Sequence, residues 1–187
     1  MRYILFMDLS STAYVILGMV SVHPRSGYEI KAAVDESTRR FWAASYGQIY
    51  PELKRLSEQG LVTGMDAPRG ERKRTVYTIT DAGMERLKEW LRRPPEMSEM
   101  RDEGLLKLFF SGVLEPDEAA ETLRRMRDRR AALAEELAAL EAVVIEKSDE
   151  FALMVVRGGV EYNRWYADWC ERMEAELLAT ARKERST

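Results

Sequence analysis

The stretch Phe41-Trp42-Ala43-Ala44-Ser45-Tyr46-Gly47-Gln48-Ile49-Tyr50-Pro51-Glu52-Leu53-Lys54-Arg55-Leu56 carries two superimposed signals. Ser45-x-x-Gln48 is a capping-box pattern, in which two side chains reciprocally satisfy free backbone donors, and it predicts a helix opening after Ser45. That helix runs to Gln59, where Gly60 ends it. Ile49, Leu53 and Leu56 recur at i, i+4 and i+7, so one stripe faces a core. The opposite side presents Gln48, Lys54 and Arg55, with Tyr50 on its flank. Pro51 conflicts with the pattern, because its ring removes a backbone donor and crowds the carbonyl of Gly47. The helix is therefore expected either to start late or to be distorted in its first turns.

Toward the amino terminus, SSTAYVILGMV (residues 10–20) reads as a helix capped by Ser or Thr, with Tyr14, Ile16, Leu17 and Val20 on its apolar face. Pro24 and Gly27 punctuate the chain after it. Ser26-x-x-Glu29 is a second capping box and opens a helix through about Glu36, with Tyr28, Ile30 and Val34 partly buried. Phe41-Trp42 is expected in a core or an interface. Toward the carboxyl terminus the period changes to that of strands. Leu61-Val62-Thr63 and Thr75-Val76-Tyr77-Thr78-Ile79 flank a charged, turn-like MDAPRGERK. Three helices followed by a two-stranded ribbon whose tip carries Arg69, Arg72, Lys73 and Arg74 is the order of a winged helix-turn-helix. A fourth helix starts near Thr80 or Asp81 and stops at Arg92-Arg93-Pro94-Pro95.

The formal net charge of the 187-residue chain is −3, which taken alone argues against a nucleic-acid partner. Divided after Pro95, it separates into two different surfaces. Residues 1–95 hold 15 Lys and Arg against 11 Asp and Glu, a net +4; residues 96–187 hold 14 against 21, a net −7. Such asymmetry points to a basic binding module joined to a part with another task. One Cys and one His exclude an internal disulfide and leave too few soft ligands for a structural zinc site. No apolar run approaches the length of a membrane span, and the first residues do not read as a signal peptide, so a cytoplasmic protein is expected. No cofactor is expected.

The second half opens with the linker PPEMSEMRDE and a short apolar helix over Gly104–Phe110. Glu115-Pro116-Asp117-Glu118 begins a long helix, with Pro at the first position and acids at its positive end. Leu123, Met126, Arg130, Leu133, Leu137, Leu140 and Val144 follow a strict 3,4 alternation, the pattern of a coiled-coil seam; a helix packed inside a monomer would also show it, but so narrow a stripe on so long a helix favours a partner helix. Arg130 within it either snorkels or meets an acid. Ser148-Asp149-Glu150 opens a last helix through about Lys183, on which Val155, Gly158, Gly159, Tyr162, Trp165, Tyr166, Trp169, Met173 and Leu177 trace one face. Leu123, Met126, Leu133, Leu137, Leu140, Tyr162, Trp165 and Trp169 are the expected dimer interface. The cluster Tyr162, Trp165, Tyr166 and Trp169 has two readings, dimer core or a pocket for a planar aromatic effector.

Several strings in this chain resemble the PadR family of transcriptional regulators. They are Ile16-Leu17-Gly18, Ser26-Gly27-Tyr28-Glu29-Ile30, Phe41-Trp42-x-x-Ser45-x-Gly47-Gln48-Ile49-Tyr50-Pro51-x-Leu53, Gly60-Leu61-Val62 and Val76-Tyr77-x-Ile79-Thr80-x-x-Gly83. The wing departs from the usual Gly-Arg-Pro, reading Gly70-Glu71-Arg72. The second half is similar to the helical dimerisation domain of longer members. The resemblance implies a mainly α fold with a small two-stranded β wing: a winged helix-turn-helix over 1–95 and a helical dimerisation and effector domain over 96–187. It implies a homodimeric repressor on a palindromic DNA operator, with half-sites roughly 34 Å apart. Ser26, Tyr28, Ser45, Tyr46, Gln48, Tyr50 and Lys54 and the wing residues Arg72, Lys73 and Arg74 are the DNA-contact candidates. Basic side chains, tyrosine hydroxyls and helix N-termini would bind phosphate, while in the major groove Gln48 would pair with adenine and Lys54 or Arg55 with guanine. Tyr28 and Tyr46 have a second reading, as packing residues. Relatives that sense phenolic acids bind them between the modules, which adds Tyr14 and Phe109 to Tyr162, Trp165 and Tyr166 as effector candidates. The alternative is a helical interaction or scaffold protein whose winged helix has lost DNA binding. An enzyme is not expected, since His23 and Cys170 have no evident base or nucleophile partner.

Overall fold

The structure is a computed structural model that describes residues 9–69, 72–96, 101–146 and 149–185; the side chains of 68, 69, 72 and 73 lie outside the description. Its elements are α1 (Ser11–Val22), β1 (Arg25–Ser26), α2 (Gly27–Glu36), a 3-10 turn at Thr38–Arg40, α3 (Tyr46–Glu58), β2 (Val62–Arg69), β3 (Arg72–Ile79), α4 (Asp81–Leu91), α5 (Glu103–Phe110), a 3-10 turn at Ser111–Val113, α6 (Pro116–Glu146) and α7 (Glu150–Glu184). They divide into two compact units, Met1–Met97 and Ser98–Thr187.

In the first unit the starts of α1, α2 and α4 are each secured by a short side chain. Ser10 accepts from the Ala13 N–H and donates its hydroxyl to Glu52 Oε1 at 2.7 Å, tying α1 to α3. Ser26 and Glu29 form the expected capping box at α2. Thr80 accepts from the Gly83 N–H at α4. α3 ends as predicted: Gly60 has φ +69°, and the Leu61 N–H reaches back to the Leu56 carbonyl at 2.9 Å. Ile16, Leu17 and Val20 of α1, Ile30 and Val34 of α2, and Ile49, Leu53 and Leu56 of α3 meet in one core with Val62 and Leu87. Tyr14 stacks on Trp90 of α4, rings 4.6 Å apart and 9° from parallel.

Three expectations change here. Pro51 neither delays nor divides α3, which begins at Tyr46 and is continuous. The carbonyl deprived of a donor belongs to the exposed Gly47, where water can serve it. The ribbon is longer than its alternation suggests: pairing of β2 with β3 runs from Val62↔Ile79 to Arg69↔Arg72, through most of the stretch read as a turn. Beyond Gly64 none of the described side chains of the ribbon is buried, so nothing selects an apolar alternation there. The sheet also has a third strand, because Arg25 and Ser26 pair with Tyr77 and Val76 to give the order β1-β3-β2.

In the second unit α6 and α7 form an antiparallel pair, with Asp117 opposite Arg185, Arg124 opposite Glu174 and Glu141 opposite Arg157. The seam on α6 thus finds its partner within the same chain. Leu123 is 2% exposed, buried with Tyr166 and Cys170 of α7, while Met126 and Trp169 pack against that cluster. Leu137 is buried and its Cδ1 would lie 3.1 Å from a Cβ on Gly159. Leu123 and Leu137 are therefore intramolecular core rather than dimer interface, and Met126, Leu133, Leu140 and Trp169 are partly buried. A two-helix hairpin needs the same narrow stripe as a coiled coil, so spacing could not tell the two apart. The face expected on α7 splits likewise. Tyr166 turns inward with Val160, Asn163 and Cys170, whereas Val155, Tyr162 and Trp165 are exposed and Gly158 faces open space.

At the centre of this unit Arg130 meets an acid. Its Nη2 donates to Asp102 Oδ2 at 2.8 Å and its Nη1 to Asn163 Oδ1 at 3.2 Å, and its guanidinium lies 4.2 Å from the Tyr166 ring centre. Asp102 also accepts from the Tyr166 hydroxyl at 3.1 Å, while its Oδ1 caps α5 through the Gly104 and Leu105 N–H groups. Burial opposes the carboxylate, but these hydrogen bonds outweigh it and hold Asp102 below its ordinary pKa. Burial, and then the Asp102 charge, push the Tyr166 phenol up to about 12. No helix among the described residues is long and apolar enough to cross a membrane. Asp102→Ala removes a helix cap and strands two donors, so it should cost about 2 kcal/mol, seen as a lower thermal midpoint by circular dichroism. Asp102→Asn, which keeps a capping oxygen, should cost less.

Candidate nucleic-acid interface

With Ile49, Leu53 and Leu56 turned inward, α3 displays Tyr46, Gln48, Tyr50 and Lys54 to solvent. The start of α2 lies beside it. Tyr28 is 61% exposed, contrary to its expected partial burial, and its ring is 6.4 Å from that of Tyr46, which is 6.1 Å from that of Tyr50. The three rings are within 22° of parallel between neighbours and form a row, with Lys31 Nζ 5.6 Å from the centre of Tyr46. Tyr50 approaches α2 so closely that a Cβ on Gly27 would meet its ring at 2.7 Å; only glycine lets the ring lie there. Lys31 is also ion-paired with Asp35, so the row offers mainly phenol edges and hydroxyls, chemistry that suits a phosphate backbone.

Lys31 was missed in the sequence, although its i+3 spacing from Tyr28 places both on one helical face. Arg39 and Arg40, on the turn between α2 and α3, are exposed and were also missed. Phe41 and Trp42 follow them and are exposed rather than in the core. Lys54 reaches solvent and lies 3.9 Å from Glu58, a loose pair.

Two DNA-contact candidates are engaged within the unit, Ser26 fully and Arg74 through one nitrogen of a partly exposed side chain. Ser26 is 7% exposed and its hydroxyl donates to Glu29 Oε2 at 2.8 Å, so it caps α2 and presents nothing outward. Arg74 donates from Nη1 to Glu29 Oε1 at 2.8 Å, fastening β3 to α2 at the base of the wing. Glu29 thus receives the Ser26 N–H, the Ser26 hydroxyl and a guanidinium. Arg72 and Lys73 lie in β3, and their side chains fall outside the described residues. Ser45 and Gln48 are exposed and paired with each other: Gln48 Oε1 accepts from Ser45 N at 3.0 Å and from Ser45 Oγ at 3.1 Å.

The effector candidates fall in different units. Tyr14 is buried with its face against Trp90, and its hydroxyl takes no partner among the described residues. In the second unit Tyr162, Trp165, Tyr166 and Trp169 form a chain of tilted and edge-on contacts 5.5–6.3 Å apart, of which Tyr162 and Trp165 are open to solvent. Phe109 is 81% exposed. Among the described residues no group of three or more His, Cys, Asp or Glu is placed to hold a metal.

Sequence comparison gives this geometry its relatives. The profile of the Transcriptional regulator PadR-like family matches residues 16–89, and that of the Virulence activator alpha C-term matches residues 100–177. The negative transcriptional regulator PadR of Bacillus subtilis is 31% identical over 174 residues, covering 88% of this chain and 96% of that protein. The chain belongs to the PadR-like family of transcriptional regulators. Among solved structures, Bacillus subtilis PadR in complex with operator DNA matches at a TM-score of 0.83 and 30% identity, over 90% of this chain and 99% of that one. Bacillus subtilis PadR in complex with p-coumaric acid matches at a TM-score of 0.76 and 27% identity, over 91% and 98%. In this PadR-like chain the two matched segments fall one in each compact unit.

Glu29 shows how the interface is held. The Ser26 N–H, then its hydroxyl, keep the carboxyl below its ordinary pKa, with Arg74 adding to them against the effect of burial. A depressed carboxylate contributes stability that is present above the unfolded-state value and lost as pH falls through the folded one. Wild type should therefore lose stability on acidification below about pH 4.3. Glu29→Gln should begin about 1 kcal/mol less stable at pH 7 and lose less on the same titration, followed by thermal melts at stepped pH.

Proposed function

We propose that this chain is a homodimeric transcriptional repressor that acts in the cytoplasm by binding a palindromic DNA operator. The observation that carries the proposal is near full-length similarity to a negative regulator crystallised on operator DNA, combined here with an exposed α3 bearing the tyrosine row. On this reading α3 enters the major groove, and Tyr28, Tyr46, Tyr50, Lys31 and Lys54 contact phosphates, as do Lys73 and Arg72 on the wing. Ser45 and Gln48 lie at the helix end nearest the bases. Salt dependence is the direct test. Wild-type affinity should fall steeply with salt, and Lys54→Ala should weaken all sequences about equally while reducing the slope of log K against log salt by about 0.9. A wild type without a salt slope removes the DNA reading and leaves a scaffold role.

The dimer contact belongs to surfaces the α6–α7 hairpin leaves open. Leu106, Phe109 and Phe110 on α5 and Phe151, Tyr162 and Trp165 on α7 are exposed apolar side chains, and so much uncovered apolar surface favours a second copy. Bacillus subtilis PadR is solved in complex with p-coumaric acid, and release by a small aromatic acid is proposed for this chain too, with Tyr162, Trp165 and Phe109 of the second unit as the accessible rings. Sedimentation should give twice 21.6 kDa. Titration with p-coumaric acid should quench tryptophan fluorescence and weaken operator binding at least tenfold; no response to a panel of aromatic acids removes the effector.

A further inference from the structure

Gln48 is the residue expected to pair with adenine, and its bonds restrict what it can read. Its Oε1 is occupied twice, by the Ser45 backbone N–H at 3.0 Å and the Ser45 hydroxyl at 3.1 Å. The orientation of the amide follows from chemistry, since a backbone N–H can only donate and the group facing it must be the oxygen. Nε2, with two N–H donors, therefore points away from the cap on an exposed side chain, with no partner among the described residues. Pairing with adenine requires an amide to accept from N6 and donate to N7 together. Gln48 can do so only by surrendering the capping box that starts α3.

We propose that Gln48 reads DNA as a donor alone and selects guanine in each half-site. Guanine is the base whose major-groove edge carries two adjacent acceptors, N7 and O6, and no donor. Cytosine presents its N4 donor and is rejected, adenine sets a donor beside its single acceptor, and thymine offers one acceptor beside its methyl group, so only guanine takes both N–H donors. The capping bond and the base contact thus use opposite ends of one amide, and the helix start is held while the base is read. This inference rests on the DNA-binding function proposed above and assigns its specificity.

The test is selection from a randomised duplex library with the full-length wild type, Gln48→Glu and Gln48→Ala, alongside thermal melts. Glu preserves the Ser-x-x-Glu box but presents only acceptors, which suit the N4 amine of cytosine. Wild type should enrich guanine at one position per half-site. Gln48→Glu should melt like wild type and exchange that guanine for cytosine, with about tenfold weaker binding to the wild-type site. Gln48→Ala should enrich no base there. Enrichment of adenine by wild type overturns the proposal in favour of bidentate pairing. Identical preferences for wild type and Gln48→Glu overturn it in favour of a purely capping residue. A wild type that enriches no sequence and shows no salt-dependent binding overturns the DNA reading itself, and this inference with it.

Discussion

The burial of Ile49, Leu53 and Leu56 decides which way α3 faces, and the arrangement of the first unit follows from it. All three are fully enclosed against α1 and α2. Burying each is worth about 1.5–3 kcal/mol, against about 1 kcal/mol for a cap, so the stripe sets the rotation of the helix and the polar contacts adjust to it. Once the stripe is inward, Tyr46, Gln48 and Tyr50 are outward. The Glu29 carboxylate then joins the start of α2 to the base of the wing through Ser26 and Arg74. Two charged residues that look like free surface groups thus fasten α2 to β3.

The second unit solves a different problem. Its two long helices are held by a thin apolar seam, and a thin seam tolerates sliding by a turn. The pair Arg130–Asp102, with Asn163 and Tyr166, occupies the middle of that seam and fits at one position. It also ties α5 to both long helices. A partly buried ion pair of this kind adds little to stability over an apolar equivalent, and its contribution is registry.

Much of this was legible because short-range rules governed it. Both capping boxes, the glycine that ends α3, the stripe on α3 and the proline that opens α6 could be read by position alone. The family was legible from the strings around Gly47-Gln48-Ile49-Tyr50-Pro51. What was misread depended on partners distant in sequence. A 3,4 stripe does not say whether its complement is another molecule or α7, 43 positions from Leu123 to Tyr166. Arg74 looked like a free wing cation because nothing local shows that Glu29, 45 positions away, receives it. The third strand is two residues long, below the length at which periodicity can be seen. Gln48 could be singled out by its position in the capping box, but its paired oxygen becomes visible only with coordinates.

The shared use of Gln48 has a consequence for how such a regulator changes its target over generations. A side chain that both starts the helix and faces the bases cannot drift freely, since most replacements lose the cap and weaken the element that carries every other contact. The capping box accepts Gln or Glu at this place. Recognition at that base pair is thereby reduced to a two-letter alphabet, one letter donating and one accepting. New operators are then reached by a single polarity inversion at this site, or by change at neighbours such as Lys54 that hold nothing else in place.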